Sequence, residues 1–151
     1  MTVRGIAAAL VLSVLSVMAH AGDMSTPVGL WRTIDDNTGK DRSLLRIVDA
    51  GGTLEGRVEK TLTRLPDDDP DGLCRKCPGA RKDQPIVGMT ILSGLKKDGE
   101  NLWAGGEILD PGNGKTYRCK VKLIDGGKKL EVRGFIGVSL LGRTQTWLRE
   151  Q

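Results

Sequence analysis

The stretch "TYRCKVKLI" alternates without a break: Tyr117, Cys119, Val121 and Leu123 share one parity, while Thr116, Arg118, Lys120 and Lys122 share the other. A period of two places the two sets on opposite faces of a β-strand, one dry and one wet. A less regular version follows, with Leu130, Val132 and Gly134 opposite Glu131 and Arg133. Along the whole chain the pattern resolves into eight segments: Gly29 to Ile34, Ser43 to Asp49, Thr53 to Thr61, Ile86 to Ser93, Leu102 to Leu109, Lys115 to Ile124, Lys129 to Ile136, and Arg143 to Glu150. No segment carries a helical stripe of useful length. The intervening "DDNTGKDR", "AGG", "KKDGEN", "PGNG", "DGGK" and "GVSLLG" are rich in residues that accept turn conformations, and only the 62–85 connection is long. Eight strands joined mostly by tight hairpins predict an all-β fold with little helix, a single eight-stranded antiparallel up-and-down barrel, because closure removes the two edges an open sheet would expose.

The first 21 residues break the pattern. "MTVRGIAAALVLSVLSVMAHA" has a basic start at Arg4, an apolar run from Ile6 to Met18 and a small-residue ending, the layout of a cleavable secretory signal. The run is short for a membrane span, which needs about 20 apolar residues. The expectation is therefore a signal over residues 1–21, a barrel domain over 22–151, and a periplasmic or secreted product after cleavage near Ala21/Gly22. Cleavage would also remove His20, the sole histidine, and with it the imidazole that most catalytic triads and many metal sites use. Without Arg4 the remaining chain carries 22 basic and 19 acidic side chains, a net charge of +3. With no basic run and five aromatic residues, that charge is no nucleic-acid footprint, though it suits weak peripheral contact with an anionic membrane surface.

Two motifs sharpen the barrel reading. Gly29-Leu30-Trp31 opens the first segment, and Trp147-Leu148-Arg149 closes the last. This resembles the lipocalin and calycin arrangement, in which a Gly-x-Trp at the closed end packs under an arginine from the last strand. Arg149 is the expected partner of Trp31, with Arg143 as the alternative; such a cation–π contact contributes about 0.5 to 2 kcal/mol. Nearly all of residues 22–151 also resembles the bacterial family called domain of unknown function 2147, through "GLWRTIDDNTGKDRS", "CRKCPGARKDQPIVGMTIL", "WAGGEILDPGNGKTYRCKVKL" and "VRGFIGVSLLGRTQTWLR". The resemblance implies a small exported protein with a calycin-like barrel and a role in binding small apolar molecules.

Candidate chemistry lies in the long connection. Cys74 and Cys77 form a C-x-x-C with Arg75 and Lys76 between them. A thioredoxin-like centre would need a strand before the pair and a helix after it, and here Pro78 and Gly79 follow. A zinc site would need further ligands. An exported location favours a Cys74–Cys77 disulfide with Cys119 reduced inside the barrel. Asp67, Asp69, Asp71 and Gly72 have the early spacing of a calcium loop, but its twelfth position is Pro78, so a solvated acidic turn is the better reading. Around "DPGNGKTY", Glu107, Asp110 and Lys115 read as hairpin chemistry, with Lys115 pairing to Asp110. No catalytic residue, metal or cofactor is expected.

An eight-stranded barrel is wide enough to be filled by side chains or to hold one small ligand. Glycines within the strands favour the ligand. The expected binding wall is Tyr117, Val121 and Val132, with Gly88 and Gly106 leaving room, Met89 or Trp103 near the mouth, and Arg133 or the Tyr117 hydroxyl meeting a ligand carboxylate. The expected partner is a small hydrophobic molecule such as a fatty acid or other envelope lipid. The other reading is an envelope interaction module with a filled core.

Overall fold

A computed structural model describes residues 22–150, so the segment read as a secretory signal lies outside the described residues. Eight strands follow in chain order: β1 (Gly29–Ile34), β2 (Asp41–Asp49), β3 (Leu54–Thr61), β4 (Thr90–Gly99), β5 (Leu102–Asp110), β6 (Lys115–Ile124), β7 (Lys129–Phe135) and β8 (Gly142–Arg149). Each pairs antiparallel with the next, and β8 returns to β1, closing the barrel. Among the described residues helix is confined to two single 3₁₀ turns, Gly79–Arg81 and Asp125–Gly127.

The alternation of β6 persists in its pairing. Cys119, Val121 and Leu123 stand opposite Gly134, Val132 and Leu130 of β7, all on the inner face. Side chains fill the lower part of the barrel: Trp31, Leu45, Leu92, Leu95, Val121 and Leu130 are sealed from solvent, with Trp103 packed in the same cluster.

The fourth strand departs from the sequence expectation. It begins at Thr90 rather than Ile86 and runs through Lys96, Lys97 and Asp98, which read as turn residues. Lys96 and Lys97 pair with Ala104 and Trp103, and the Lys97 ammonium lies 4.1 Å from the centre of the Trp103 ring, so the lysine stem covers apolar surface while its charge reaches water. The turn shrinks to Glu100-Asn101, with Asn101 at φ 55°. Residues 86–89 belong instead to the long connection: Ile86 N–H donates to Gly72 O, and Gly88 N–H to Val58 O.

Two seams are thin. β3 and β4 share Leu54–Leu95, Gly56–Leu92 and Arg57–Thr90, with register shifts between them. β1 and β8 register over two pairs, Trp31–Arg149 and Arg32–Leu148, with Glu150 N–H donating to Leu30 O just beyond.

Candidate functional site

The barrel has a closed and an open end. At the closed end Trp31 is fully buried and its indole N–H donates to Pro27 O at 2.7 Å. The Arg149 guanidinium lies 4.3 Å from the centre of that ring. It also donates to Gly127 O at 2.7 Å, Val28 O at 2.9 Å and Thr26 O at 2.6 Å. One arginine thus ties the leading segment, the β6–β7 turn and the last strand together beneath the tryptophan. Arg143, the alternative partner, is corrected: it sits at the open end, ion-paired to Asp36 of the β1–β2 loop at 3.1 Å.

The open end leads into a cavity of about 1320 Å³. The space spans both the barrel's open half and the charged lip beside it; its apolar part is formed by Val58, Ile108, Tyr117, Val132 and Trp147, with Ile34, Ile86 and Ile91 also lining it. Charged groups line the outer part, among them Asp36, Arg42, Asp68, Arg75 and Arg143, and several of the polar groups are paired. The Thr33 and Ser43 hydroxyls lie 2.7 Å apart, the Trp147 indole N–H donates to Gln145 Oε1 at 3.1 Å, and Gln145 Nε2 donates to Asp36 at 3.0 Å. Asn113 Nδ2 donates to the Tyr117 hydroxyl, leaving its proton free for another acceptor.

The long connection forms one lip. Arg42 donates to both carboxylate oxygens of Asp68, at 2.6 and 2.5 Å, and to Thr63 O. Partial burial pushes the Asp68 carboxyl up, but the Arg42 bonds, the Leu65 N–H and the Arg64 charge outweigh it and hold the group below its ordinary value. Asp69 is likewise held low, first by its hydrogen bond from Arg75 and then by the Leu73 N–H. Arg75 also reaches Asp71 and Asp83, so arginine takes up the acidic run that has calcium-loop spacing. Among the described residues no three His, Cys, Asp or Glu side chains converge as metal ligands.

Cys74 and Cys77 are joined in a disulfide, and both are buried, packed with Met89 and Leu109. The bridged turn seats on the β5–β6 hairpin so closely that a Cβ on Gly114 would fall 1.8 Å from Lys76 O. Both sulfurs are shielded from solvent, which limits access by a second thiol. Cys119 is free, and burial pushes its thiol up to about 12.

Of the expected binding residues, the cavity brings together Tyr117 and Val132. Val121 lies deeper, in the filled core. Gly106 is no vacancy: a Cβ there would meet Ser93 O at 2.5 Å and Leu95 at 2.7 Å, and Gly56 likewise meets Leu45 and Leu92 at 2.9 Å. These glycines let neighbouring chains approach, and the neighbours fill the space. Gly88 is an exposed turn residue at φ 92°, Met89 packs against the disulfide, and Trp103 belongs to the lower core. Arg133 points outward and is occupied by Ser139 O and the Thr144 hydroxyl. Asp110 and Lys115 stand opposite each other across the β5–β6 hairpin, as expected, and the Asp110 carboxylate accepts from Gly112 N–H within the turn. Gly134, an inward strand glycine not placed on the expected binding wall, does line the cavity, and a Cβ there would meet Ile108 and Tyr117 at 3.5 and 3.6 Å, ordinary contact. Its parity with Leu130 and Val132 was the available signal.

An up-and-down barrel of eight strands, pinned at one end by arginine over tryptophan and open at the other, is lipocalin-like. A solved structure of protein HP1028 from the human pathogen Helicobacter pylori, described as belonging to the lipocalin family, superposes with a TM-score of 0.67 at 23% identity over 82% of each chain. The chain belongs to the family described as "uncharacterized protein conserved in bacteria (DUF2147)", which matches residues 29–149. Comparison with curated proteins gives no match.

Proposed function

We propose that this protein is an exported binding protein, not a catalyst, that holds one small apolar molecule with a polar end, of the fatty acid or envelope lipid kind, in the open half of its barrel. The observation that carries this reading is the cavity, about 1320 Å³ including the lip, in which an apolar inner part formed by Val58, Ile108, Tyr117, Val132 and Trp147 opens onto charged residues. Pockets that bind small molecules bury most of the ligand against apolar walls and orient it with a few polar contacts. Arg143, one of several cations lining the space, uses its Nε on Asp36 and has further guanidinium N–H groups for a ligand carboxylate, and the Tyr117 hydroxyl is a donor within the wall. The buried disulfide and the signal-like residues 1–21 support export; the intact mass of the exported protein should correspond to a start near Gly22.

The test is direct. Organic extraction of the native protein followed by mass spectrometry should release a lipid, and a fluorescent fatty acid should bind and be displaced by unlabelled fatty acid. Gly134→Phe places a ring in the cavity with little backbone strain and should weaken that binding at least tenfold, about 1.4 kcal/mol, while the far-ultraviolet circular dichroism is kept. No extracted lipid together with no probe binding would instead favour the filled-core interaction module.

A further inference from the structure

Between Arg133 and Arg143 the chain reads "GFIGVSLLG", with no charged residue. The centre of this stretch is the β7–β8 loop at the mouth of the barrel, and its apolar side chains face water: Ile136 is 63% exposed, Val138 59%, Leu140 89% and Leu141 71%. Four large apolar residues within six positions of one loop form a patch, unlike scattered single exposures. The loop is held in shape. Arg133 donates to Ser139 O at 2.7 Å and Leu140 O at 3.3 Å, Leu141 N–H donates to Val138 O, and Ile136 N–H to Leu141 O. With two of its carbonyls bonded to the arginine, the loop leaves these apolar side chains exposed to water.

The adjoining outer face of β6 and β7 is cationic. Cross-strand register sets Lys120 directly opposite Arg133, a like-charge pair, with Arg118 two residues along on the same face. Glu107 is the strand neighbour of Arg118, yet among the described residues no carboxylate forms an ion pair with Arg118 or Lys120. Like charges placed opposite each other weaken a sheet unless something outside neutralises them. Apolar tips flanked by unpaired cations are the chemistry of attachment to an anionic lipid surface, where the tips enter the interfacial layer and the cations meet headgroups.

We propose that loop 136–141, together with Arg118 and Lys120, docks the protein on an anionic bilayer. Ile136 and Leu141 also line the cavity mouth, so docking would bring that mouth to the lipid. The proposal goes beyond the binding reading and holds whether or not the cavity carries a ligand. The experiment is co-sedimentation of the purified protein with vesicles of phosphatidylcholine containing about 30% phosphatidylglycerol, against phosphatidylcholine alone.

Expected are partition onto the anionic vesicles, loss of at least tenfold in Val138→Ser/Leu140→Ser/Leu141→Ser, and a loss of roughly tenfold in Arg118→Glu/Lys120→Glu or in about 0.5 M salt. Leu140→Trp, at the most exposed position, should shift its emission to the blue only with anionic vesicles. The proposal is overturned if the wild type does not sediment, if it binds both vesicle types equally, or if the triple serine variant binds as the wild type does. It is overturned too if the wild type is a dimer that the serine substitutions dissociate, since the loop would then cover a second copy of the chain.

Discussion

The Arg149 guanidinium uses three of its donors on carbonyls from separate segments while lying against the Trp31 ring. A lysine has one nitrogen at the end of a flexible stem and cannot span those carbonyls or stack in the same way. Arg149→Lys should therefore cost about 2 to 3 kcal/mol in urea unfolding, and Trp31→Ala about 3 to 5. Because the two side chains share one contact, the double variant should lose less than the sum, and additivity would show that they act separately. Cys119 gives a second test at this scale: with its thiol pushed up to about 12 by burial, the native protein should take no thiol label and the denatured protein one. The roles of single residues were unevenly legible. The alternation of β6 gave the inward direction of Cys119, whereas the choice between Arg149 and Arg143 depended on which end of β8 meets Trp31, and spacing does not carry that.

Among elements, the 62–89 connection behaves as a separate lip laid on the finished barrel. It is fixed to β2 by the Arg42–Asp68 pair and to the β5–β6 turn by the buried disulfide beneath Gly114. Closing so small a ring contributes about 2 kcal/mol by loop entropy. Cys74→Ala/Cys77→Ala should lower stability by about that amount and expose residues 62–89 to limited proteolysis, with the strands intact. The Asp68 carboxyl is held low in the folded state, so its stabilisation is complete above its unfolded value near 3.9 and fades as pH falls through the lower folded value. The melting temperature should be level above about pH 5 and fall below about pH 4, with a smaller fall in Asp68→Asn. Asp69 and Asp35 are held low too, so that variant removes only part of the dependence. This element also explains the misplaced start of β4. "QPIVGM" has the β-branched composition of a strand, but Ile86 and Gly88 hydrogen-bond to Gly72 and Val58 instead of joining a ladder.

For the molecule as a whole, the barrel was legible because period-two alternation and hairpin turns are local signals, and eight of them in succession leave few topologies open. The cavity was less so. Whether an inward glycine makes a hole or a close contact depends on the facing chain. Gly106 is filled by Leu95 from β4, while Gly134 faces Tyr117 and Ile108 across ordinary distances. That depends on register and strand curvature, which no single segment encodes.

The narrow β1–β8 seam affects how the chain reaches this state. Arg149 draws in carbonyls 121 and 123 positions away, and β1 registers with β8 over two residue pairs. Loop closure on that scale comes late and slows folding. Until β8 has been synthesised, β1 presents an unpaired edge holding Leu30 and Trp31, open to pairing with a neighbouring chain. A truncation that removes only the last strand should therefore aggregate instead of yielding a smaller soluble barrel, and the final eight strand residues act as the latch that makes the nascent protein safe in a crowded compartment.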